Sequence, residues 1–245
     1  MRFYGLLLAA LPGLALAADE PRWTLECQTG PAWQSRNNVA RPNVMSNRFS
    51  LTELQGKGAF RSYRTSLTWE GETGPGWRLL YAPFEISRTG RFTGPVSFDG
   101  GSFAAGIDTQ GTYRFDSYRL TYRNRWIKTD RKDVRVGVTL KLRDAEVGLR
   151  QGGTARTFKN TGFVPLVHLY GEDRFTDRWT FIYDVDALGG GPGYAVDAGL
   201  RLAYQINPRT RAFVGLRILD GGADSDSVYS FATFTYVTAG VSVRF

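Results

Sequence analysis

Hydrophobic and polar residues alternate along most of this chain, from residue 47 almost to its end. In residues 194–206, Leu200 and Leu202 fall at positions of one parity, whereas Asp197 and Arg201 fall at positions of the other. Because successive side chains of a β-strand point to opposite faces, this period of two predicts strands with one apolar and one polar face. No long amphipathic helix is indicated, so the pattern predicts an all-β protein.

Ten segments follow this alternation closely enough to be predicted as strands. They cover residues 47–54, 60–70, 77–87, 112–127, 133–150, 162–174, 179–188, 194–206, 211–220 and 228–245. Most connections alternate between short turns and longer or glycine-rich segments, and Arg88–Gly111 is the longest of them. Such alternation is typical of antiparallel transmembrane β-barrels. We therefore predict one barrel over residues 47–245 with about ten strands, eight or twelve being the alternatives, and an external loop over Arg88–Gly111.

The N-terminal part of the chain does not alternate. A basic second residue, an apolar stretch over residues 3–16 and a small-residue cleavage site predict a cleaved secretory signal peptide over residues 1–17. The apolar stretch is too short for a spanning helix and is interrupted by Pro12. Residues 18–46 contain three prolines and are predicted to form a loose periplasmic lead-in to the barrel.

The last predicted strand carries the most specific signature. Its unbroken alternating apolar face consists of Val237, Ala239, Val241, Val243 and the C-terminal residue Phe245. This strand resembles the C-terminal signature of Gram-negative outer-membrane β-barrel proteins, whereas residues 47–245 share only their general pattern. The resemblance implies a location in the cell outer membrane and contact with its lipid and lipopolysaccharide. It also implies that the barrel-assembly machinery of that family takes up the chain through the strand that ends at Phe245.

Charge and cysteine content argue against a nucleic-acid-binding protein, an intramolecular disulfide and a metal site. The net charge is +8, from 31 basic and 23 acidic residues, and removal of the signal peptide with Arg2 leaves 30 − 23 = +7. The basic residues are spread through the alternating segments, which favours a polar barrel interior over a nucleic-acid partner. The single Cys27 excludes an intramolecular disulfide. No Cys/His cluster is present, so neither a metal site nor a cofactor is predicted.

The fourth and fifth predicted strands change phase near Ser117 and Asp144, which we expect to lie opposite one another. Two explanations remain open. Each strand contains a bulge there, or both strands leave the membrane at that height, where the phase is free. Under both explanations we predict a network of charges in the lumen, formed by Arg114, Asp116, Arg119, Arg123, Asp144, Glu146, Arg150 and Arg201.

Inward charges in a narrow barrel are compatible with several functions. Arg–carboxylate pairs that hold the wall rigid indicate a structural barrel, whereas the excess of arginine indicates a narrow pore for small solutes, anions included. Both are non-enzymatic. The alternative is a surface hydrolase, a protease or a lipid A-modifying enzyme, in which His168, Asp184 and Asp186 are catalytic. In composition this set is similar to omptin proteases, but no omptin motif matches residue by residue. A third hypothesis is a soluble periplasmic β-protein that binds an anionic ligand.

Overall fold

The computed structural model describes residues 23–71 and 74–245, so the predicted signal peptide lies outside the described residues. Most of the described chain is β-strand, with one short 3-10 turn at Met45–Asn47 and one helical turn, α1, at Thr52–Gln55. No helix in the described ranges is long and apolar enough to cross a membrane. The strands are β1 (Trp23–Ala40), β2 (Phe49–Ser50), β3 (Gly58–Glu70), β4 (Gly76–Ala82), β5 (Glu85–Arg91), β6 (Val96–Phe98), β7 (Gly101–Phe103), β8 (Asp108–Lys128), β9 (Lys132–Gln151), β10 (Thr154–Arg174), β11 (Trp179–Gly190), β12 (Gly193–Asn207), β13 (Thr210–Asp224) and β14 (Tyr229–Arg244).

The described strands form a closed antiparallel barrel with ten positions in its wall. The order is β1, β3, β4 with β5, and then β8 to β14, where β4 and β5 share one position because both pair with β8. Closure comes from β14 and β1, which pair from Thr24 opposite Arg244 to Ala40 opposite Tyr229. The predicted fold, an antiparallel barrel of about ten strands, is confirmed.

The first strand of the wall is not the predicted one. Trp23–Ala40, predicted as part of the lead-in over residues 18–46, forms β1, so the barrel begins before residue 47. The predicted strand over residues 47–54 consists instead of the end of the 3-10 turn, β2 and most of α1. The alternation of β1 is weak in hydropathy because outward positions hold polar residues such as Thr29 and Ser35, although Gln28 and Gln34 are inward. A hydropathy pattern does not detect a strand of that kind.

The two ends of the barrel differ in their connections. At one end, here called the turn end, the backbone N–H of Phe245 donates to the carbonyl of Trp23 at 2.9 Å. Short connections after β3, β8, β10 and β12 lie at this end, which corresponds to the periplasmic end of outer-membrane barrels. The opposite, loop end carries α1 and the β6–β7 hairpin. The predicted loop Arg88–Gly111 lies there, but β5 and β8 extend into it and leave 92–107 as the connection.

An apolar belt covers the outer face between these ends. Leu120 on β8 is one of many exposed hydrophobic residues that point away from the lumen. Aromatic pairs flank it on β4 and β8: Trp77 and Tyr122 towards the turn end, with ring centroids 4.9 Å apart, and Tyr81 and Tyr118 towards the loop end, 4.8 Å apart. Apolar belts flanked by aromatic residues are the lipid-contacting surface of transmembrane barrels.

Strands β8 and β9 pass through the predicted phase change without a bulge. Their register is continuous through Ser117 opposite Arg143, and the only shift lies between Arg125 and Ile127. The two faces exchange their character instead. Towards the turn end the outer face is apolar and the inner face charged, whereas towards the loop end the inner face is apolar, with Tyr113 and Val147 buried. The second explanation is therefore correct: both strands leave the apolar belt at this height.

The structure places three residues of the predicted lumen network in the lumen and five on the outer face. Arg119, Arg123 and Arg201 are buried in the lumen. The five residues of opposite parity, on the outer face at the loop end, are Arg114, Asp116, Asp144, Glu146 and Arg150. There, Arg114 pairs with Asp144 at 3.2 Å and with Glu146 at 3.3 Å. The prediction failed because it assumed a polar lumen along the whole barrel, whereas the loop-end half of the interior is apolar.

The apolar interior at the loop end resembles the core of a soluble domain. The connection between β5 and β8 contributes the fully buried Phe98 and Phe103, and the segment containing α1 contributes Leu51. Phe49 packs edge-on against Phe98, with the ring centroids 5.6 Å apart. Burial of this many aromatic rings closes the loop end above the charged part of the lumen.

Candidate functional site

A cluster of charged side chains crosses the lumen below the apolar core. Each member is at most 9% exposed, and the members come from six strands of the wall. We call this set the central ion cluster; it consists of Arg78 on β4, Arg119 on β8, His168 on β10, Asp184 and Asp186 on β11, Asp197 on β12 and Arg217 on β13. Each strand places its residue inward because of the period of two, while the neighbouring residues contact the outer belt.

Arginines from one side of the wall reach aspartates on the other side. Arg78 donates to Asp184 at 2.6 Å, and Arg119 donates to Asp186 at 2.7 Å. The guanidinium of Arg119 also donates to Asp197, so it joins two carboxylates from neighbouring strands. In the order of the wall, β4 and β11 are separated by β8, β9 and β10. These pairs are therefore bonds across the lumen and not between adjacent strands.

Asp197 is the most completely paired carboxylate of the cluster. Arg217 donates to its two oxygens at 2.6 and 2.7 Å, and Arg119 donates to one of them as well. Charge-assisted forks of this kind are among the strongest hydrogen bonds in proteins. Since Asp197 is 4% exposed, its charge depends on these two arginines and not on water.

The predicted catalytic residues His168, Asp184 and Asp186 do lie together, inside this cluster. Nδ1 of His168 is 2.8 Å from an oxygen of Asp186 and 3.9 Å from an oxygen of Asp184. The hydroxyl of Thr139 donates to the same Asp186 oxygen at 2.8 Å. The imidazole is 0% exposed, and its Nε2 has no hydrogen-bond partner within the described ranges. His168 is therefore enclosed by the wall and the ion pairs and does not line an outer rim.

Towards the turn end, the lumen widens into a basic cavity of about 460 Å³. Its wall includes the charged pairs of Glu70 with Arg135, at 2.7 Å, and of Glu172 with Arg211, at 2.9 Å. Eleven basic and five acidic residues line it, so its net charge is positive. The arginine excess noted in the sequence is thus concentrated at this mouth, on the turn-end side of the central ion cluster.

On the other side of the cluster lies a second cavity of about 520 Å³, here called the loop-end cavity. Its walls are mostly apolar and include Tyr113, Phe115 and Phe158. Lys141 and Arg143, two residues apart on the same face of β9, also line it. The central ion cluster lies between these two cavities.

Sequence reasoning missed Arg78 and did not assign Lys141 to a site. Arg78 lies between Trp77 and Leu79, so its parity alone indicates an inward charge among outward apolar residues. Lys141 was recognised as inward, but its neighbours across the lumen depend on the closure of the barrel. Within the described ranges, no group of His, Cys, Asp and Glu has the arrangement of a metal site.

Comparison with known proteins supports the fold alone. No family model matches the chain, and no curated protein matches it. Among solved structures, the outer-membrane protease OmpT from Escherichia coli matches with a TM-score of 0.56 and 9% identity, covering 91% of this chain and 97% of that chain. The attachment invasion locus protein Ail of Yersinia pestis has a TM-score of 0.40 at 9% identity, covering 93% and 100%. The transport unit of the autotransporter AIDA-I from Escherichia coli has a TM-score of 0.45 at 9% identity, covering 96% and 94%.

These structural relatives differ in function, so the comparison assigns no activity to the chain. OmpT and this chain share an antiparallel wall that closes on itself. In this chain the wall carries an apolar outer belt bordered by aromatic pairs, as lipid contact requires. The chain is therefore a closed antiparallel β-barrel with a lipid-facing outer belt, and it shares this fold with the outer-membrane protease OmpT.

Proposed function

We propose that the protein is a closed, non-enzymatic barrel of the outer membrane, and that the central ion cluster seals and stiffens it. The observation that carries this proposal is the position of Arg119. Its side chain is fully buried and bonds two carboxylates of the opposite wall. A solute that crossed the lumen would have to separate these charges.

Separating the pairs is costly because each partner is at most 9% exposed, so solvent replaces the lost bond poorly. A buried ion that loses its partner destabilises a protein by several kcal/mol, on the order of 3–5. The apolar core at the loop end adds a second barrier, since it presents mainly aromatic and aliphatic side chains to a hydrated ion. These two layers favour the structural hypothesis over the narrow pore.

The wild-type protein is expected to show no steady ion conductance after insertion into planar lipid bilayers. It is compared with the double variant Arg119→Ala, Asp197→Ala. This variant removes one charge of each sign and shortens two side chains that meet in the lumen. We expect this variant to show conductance steps. Steady conductance of the wild-type protein at low voltage would refute the sealed barrel and favour a pore.

The hydrolase hypothesis finds less support in the geometry. His168 is the only histidine of the chain, and its imidazole lies within the ion cluster with no exposed surface. A general base must come within hydrogen-bond reach of a substrate, about 3 Å. The enclosed position of His168 instead favours a structural role, in which its ring holds the Asp186 carboxylate in place.

His168→Ala is therefore expected to lower the free energy of unfolding by about 1–3 kcal/mol, because Asp186 loses a buried hydrogen-bond partner. The measurement is urea-induced unfolding of the reconstituted protein. In parallel, wild type and variant are incubated with a peptide mixture and with lipid A. We expect no product from either; a product formed by wild type and lost in the variant would establish the hydrolase.

We further propose that the outer belt contacts outer-membrane lipid and lipopolysaccharide and that the assembly machinery takes up β14. The exposed outward positions of Val237, Val241 and Val243, and the exposed ring of Phe245, support this proposal. They present an apolar strand face at the seam where β14 meets β1.

A further inference from the structure

The wall of the barrel has a gap between β10 and β11. These strands pair from Arg174 opposite Thr180 only as far as Val167 opposite Ala187. β10 continues towards the loop end through residues 154–166 with β9 as its neighbour, but without a partner on β11. β11 ends at Gly190, three residues beyond Ala187, and a glycine-rich turn leads from there to β12. One side of the wall is therefore open at the loop-end part of β10.

The sequence itself favours this gap. Pro165 lies on the unpaired part of β10 and has no backbone N–H to donate, and proline is confined to the edges of sheets for this reason. Leu188 on β11 has the same parity as the buried Asp184 and Asp186, yet it is 44% exposed. Its exposure follows from the missing neighbour on β10. Both features place the gap where β10 loses its partner.

The gap opens into the loop-end cavity at the height of the outer edge of the apolar belt. Pro165 and Leu188 line both the gap and the cavity. On the neighbouring β9, Pro165 lies opposite Leu140, which is in the belt, whereas Thr161 lies opposite the outward charge Asp144. Lipid hydrocarbon therefore meets the lower part of the gap, and the polar interface meets its upper part.

Lys141, which lines this cavity, has no carboxylate partner within the described residues. Lys141 is 3% exposed and lines the cavity next to the central ion cluster. Its Nζ lies 4.5 Å from the ring centroid of Phe115, but it forms no salt bridge with a carboxylate in residues 23–71 or 74–245. The nearby Asp197 is already occupied by Arg119 and Arg217. A buried ammonium without a counter-ion is unfavourable, so this position favours an anion from outside the chain.

We propose that the loop-end cavity binds one long-chain fatty acid, which enters from the outer leaflet through the β10–β11 gap and pairs its carboxylate with Lys141. The apolar walls formed by Tyr113, Phe115 and Phe158 then cover its hydrocarbon chain. Arg143, whose Nε has no partner within the described ranges, supplies a second cation on the same face of β9. This inference does not depend on whether the lumen conducts ions.

Size and charge favour a single-chain carboxylate over other amphiphiles. A cavity of about 520 Å³ lies within the usual range for one small ligand, roughly 300–1,000 Å³. A lipid with several acyl chains does not fit that volume. The head group of a fatty acid is a single carboxylate, which Lys141 and Arg143 can bind together. It resides at the membrane interface, where the gap opens.

The test is equilibrium binding of radiolabelled palmitate to the whole protein in lipid nanodiscs, with empty nanodiscs as the blank. We expect one saturable site per barrel. Lys141→Met is expected to weaken binding at least about tenfold, equivalent to about 1.4 kcal/mol. The matched control is Lys159→Met, because Lys159 lies on the outer face and its side chain is 67% exposed. This control should bind as wild type, and the uncharged hexadecanol should bind wild type at least about tenfold more weakly than palmitate does.

Absence of a saturable palmitate site above the blank would overturn the proposal, and so would unchanged binding by folded Lys141→Met. A second variant covers the case in which Lys141→Met fails to fold. Ala145→Trp places a large ring in the cavity and leaves the lysine intact. We expect it to abolish palmitate binding, and full binding by the folded variant would equally refute the site.

Discussion

A chain that lacks Trp23–Ala40 is expected to fail to form the barrel. This segment is β1, which pairs with β14 on one side and β3 on the other. Its removal leaves two strand edges at the height of the lipid belt. Water is absent there, so each unpaired N–H or carbonyl group costs several kcal/mol. The expected result is therefore loss of the folded form and not a moderate decrease in stability.

The measurement is the heat-modifiable mobility of the folded barrel in gel electrophoresis, together with its amount in the outer-membrane fraction. As a control, a short Gly-Ser linker replaces the hairpin Val96–Phe103, which pairs only with itself and forms no part of the wall. The control is expected to retain the folded barrel even though its apolar core is disturbed. A folded barrel from the chain without β1 would show that the wall closes by another pairing.

The sequence allows the outer face of the barrel to be predicted with little ambiguity. Lipid contact requires an apolar residue at every second position, and β12 and the part of β14 from Val237 onwards show that pattern without interruption. The strands predicted at 60–70, 179–188 and 194–206 lie within β3, β11 and β12, whereas β10 begins eight residues before the predicted 162. β1 does not display it clearly, because its outward face includes Thr29 and Pro31 and its inward face is filled by buried amides.

The interior could be predicted only in part, because parity identifies a face but not its surroundings. The exchange of apolar and polar residues near Ser117 was visible in the sequence. Tyr113 and Phe115 could have pointed into lipid or into a core. Which of the two holds depends on the segments that fill the loop end, and alternation along a strand does not give the position of those segments. The outward position of Arg114 and its partners follows from that core.

The ion pairs across the lumen could not be predicted from the sequence either. The inward parity of Asp184 was evident, but its partner Arg78 is separated from it by 106 positions and three intervening strands. Strand tilt and stagger decide which side chains meet across a barrel. Pro165 could have been used to predict an edge strand, since proline within a predicted strand marks a sheet edge. In the structure it lies at the β10–β11 gap.

Asp197→Ala is expected to lower the free energy of unfolding by about 3–5 kcal/mol, the usual effect of removing one partner of a buried ion pair. The substitution leaves Arg119 and Arg217 without their shared carboxylate, and neither guanidinium is exposed to water. Arg119 retains Asp186 at 2.7 Å, whereas the only salt bridge of Arg217 within the described ranges is the one to Asp197. Most of the decrease in the free energy of unfolding is therefore expected to come from the unpaired charge of Arg217.

Urea-induced unfolding in lipid vesicles, followed by tryptophan fluorescence, measures this change. The matched control is Asp108→Ala, which removes the partner of Arg91 in a pair whose side chains are both 66% exposed. Water solvates both groups there, so the midpoint of unfolding should stay where it is in the wild type. If Asp197→Ala unfolds at the same midpoint as this control, the central ion cluster does not stiffen the wall. If its midpoint falls while the control's does not, the stability of the barrel depends on charges paired across its lumen.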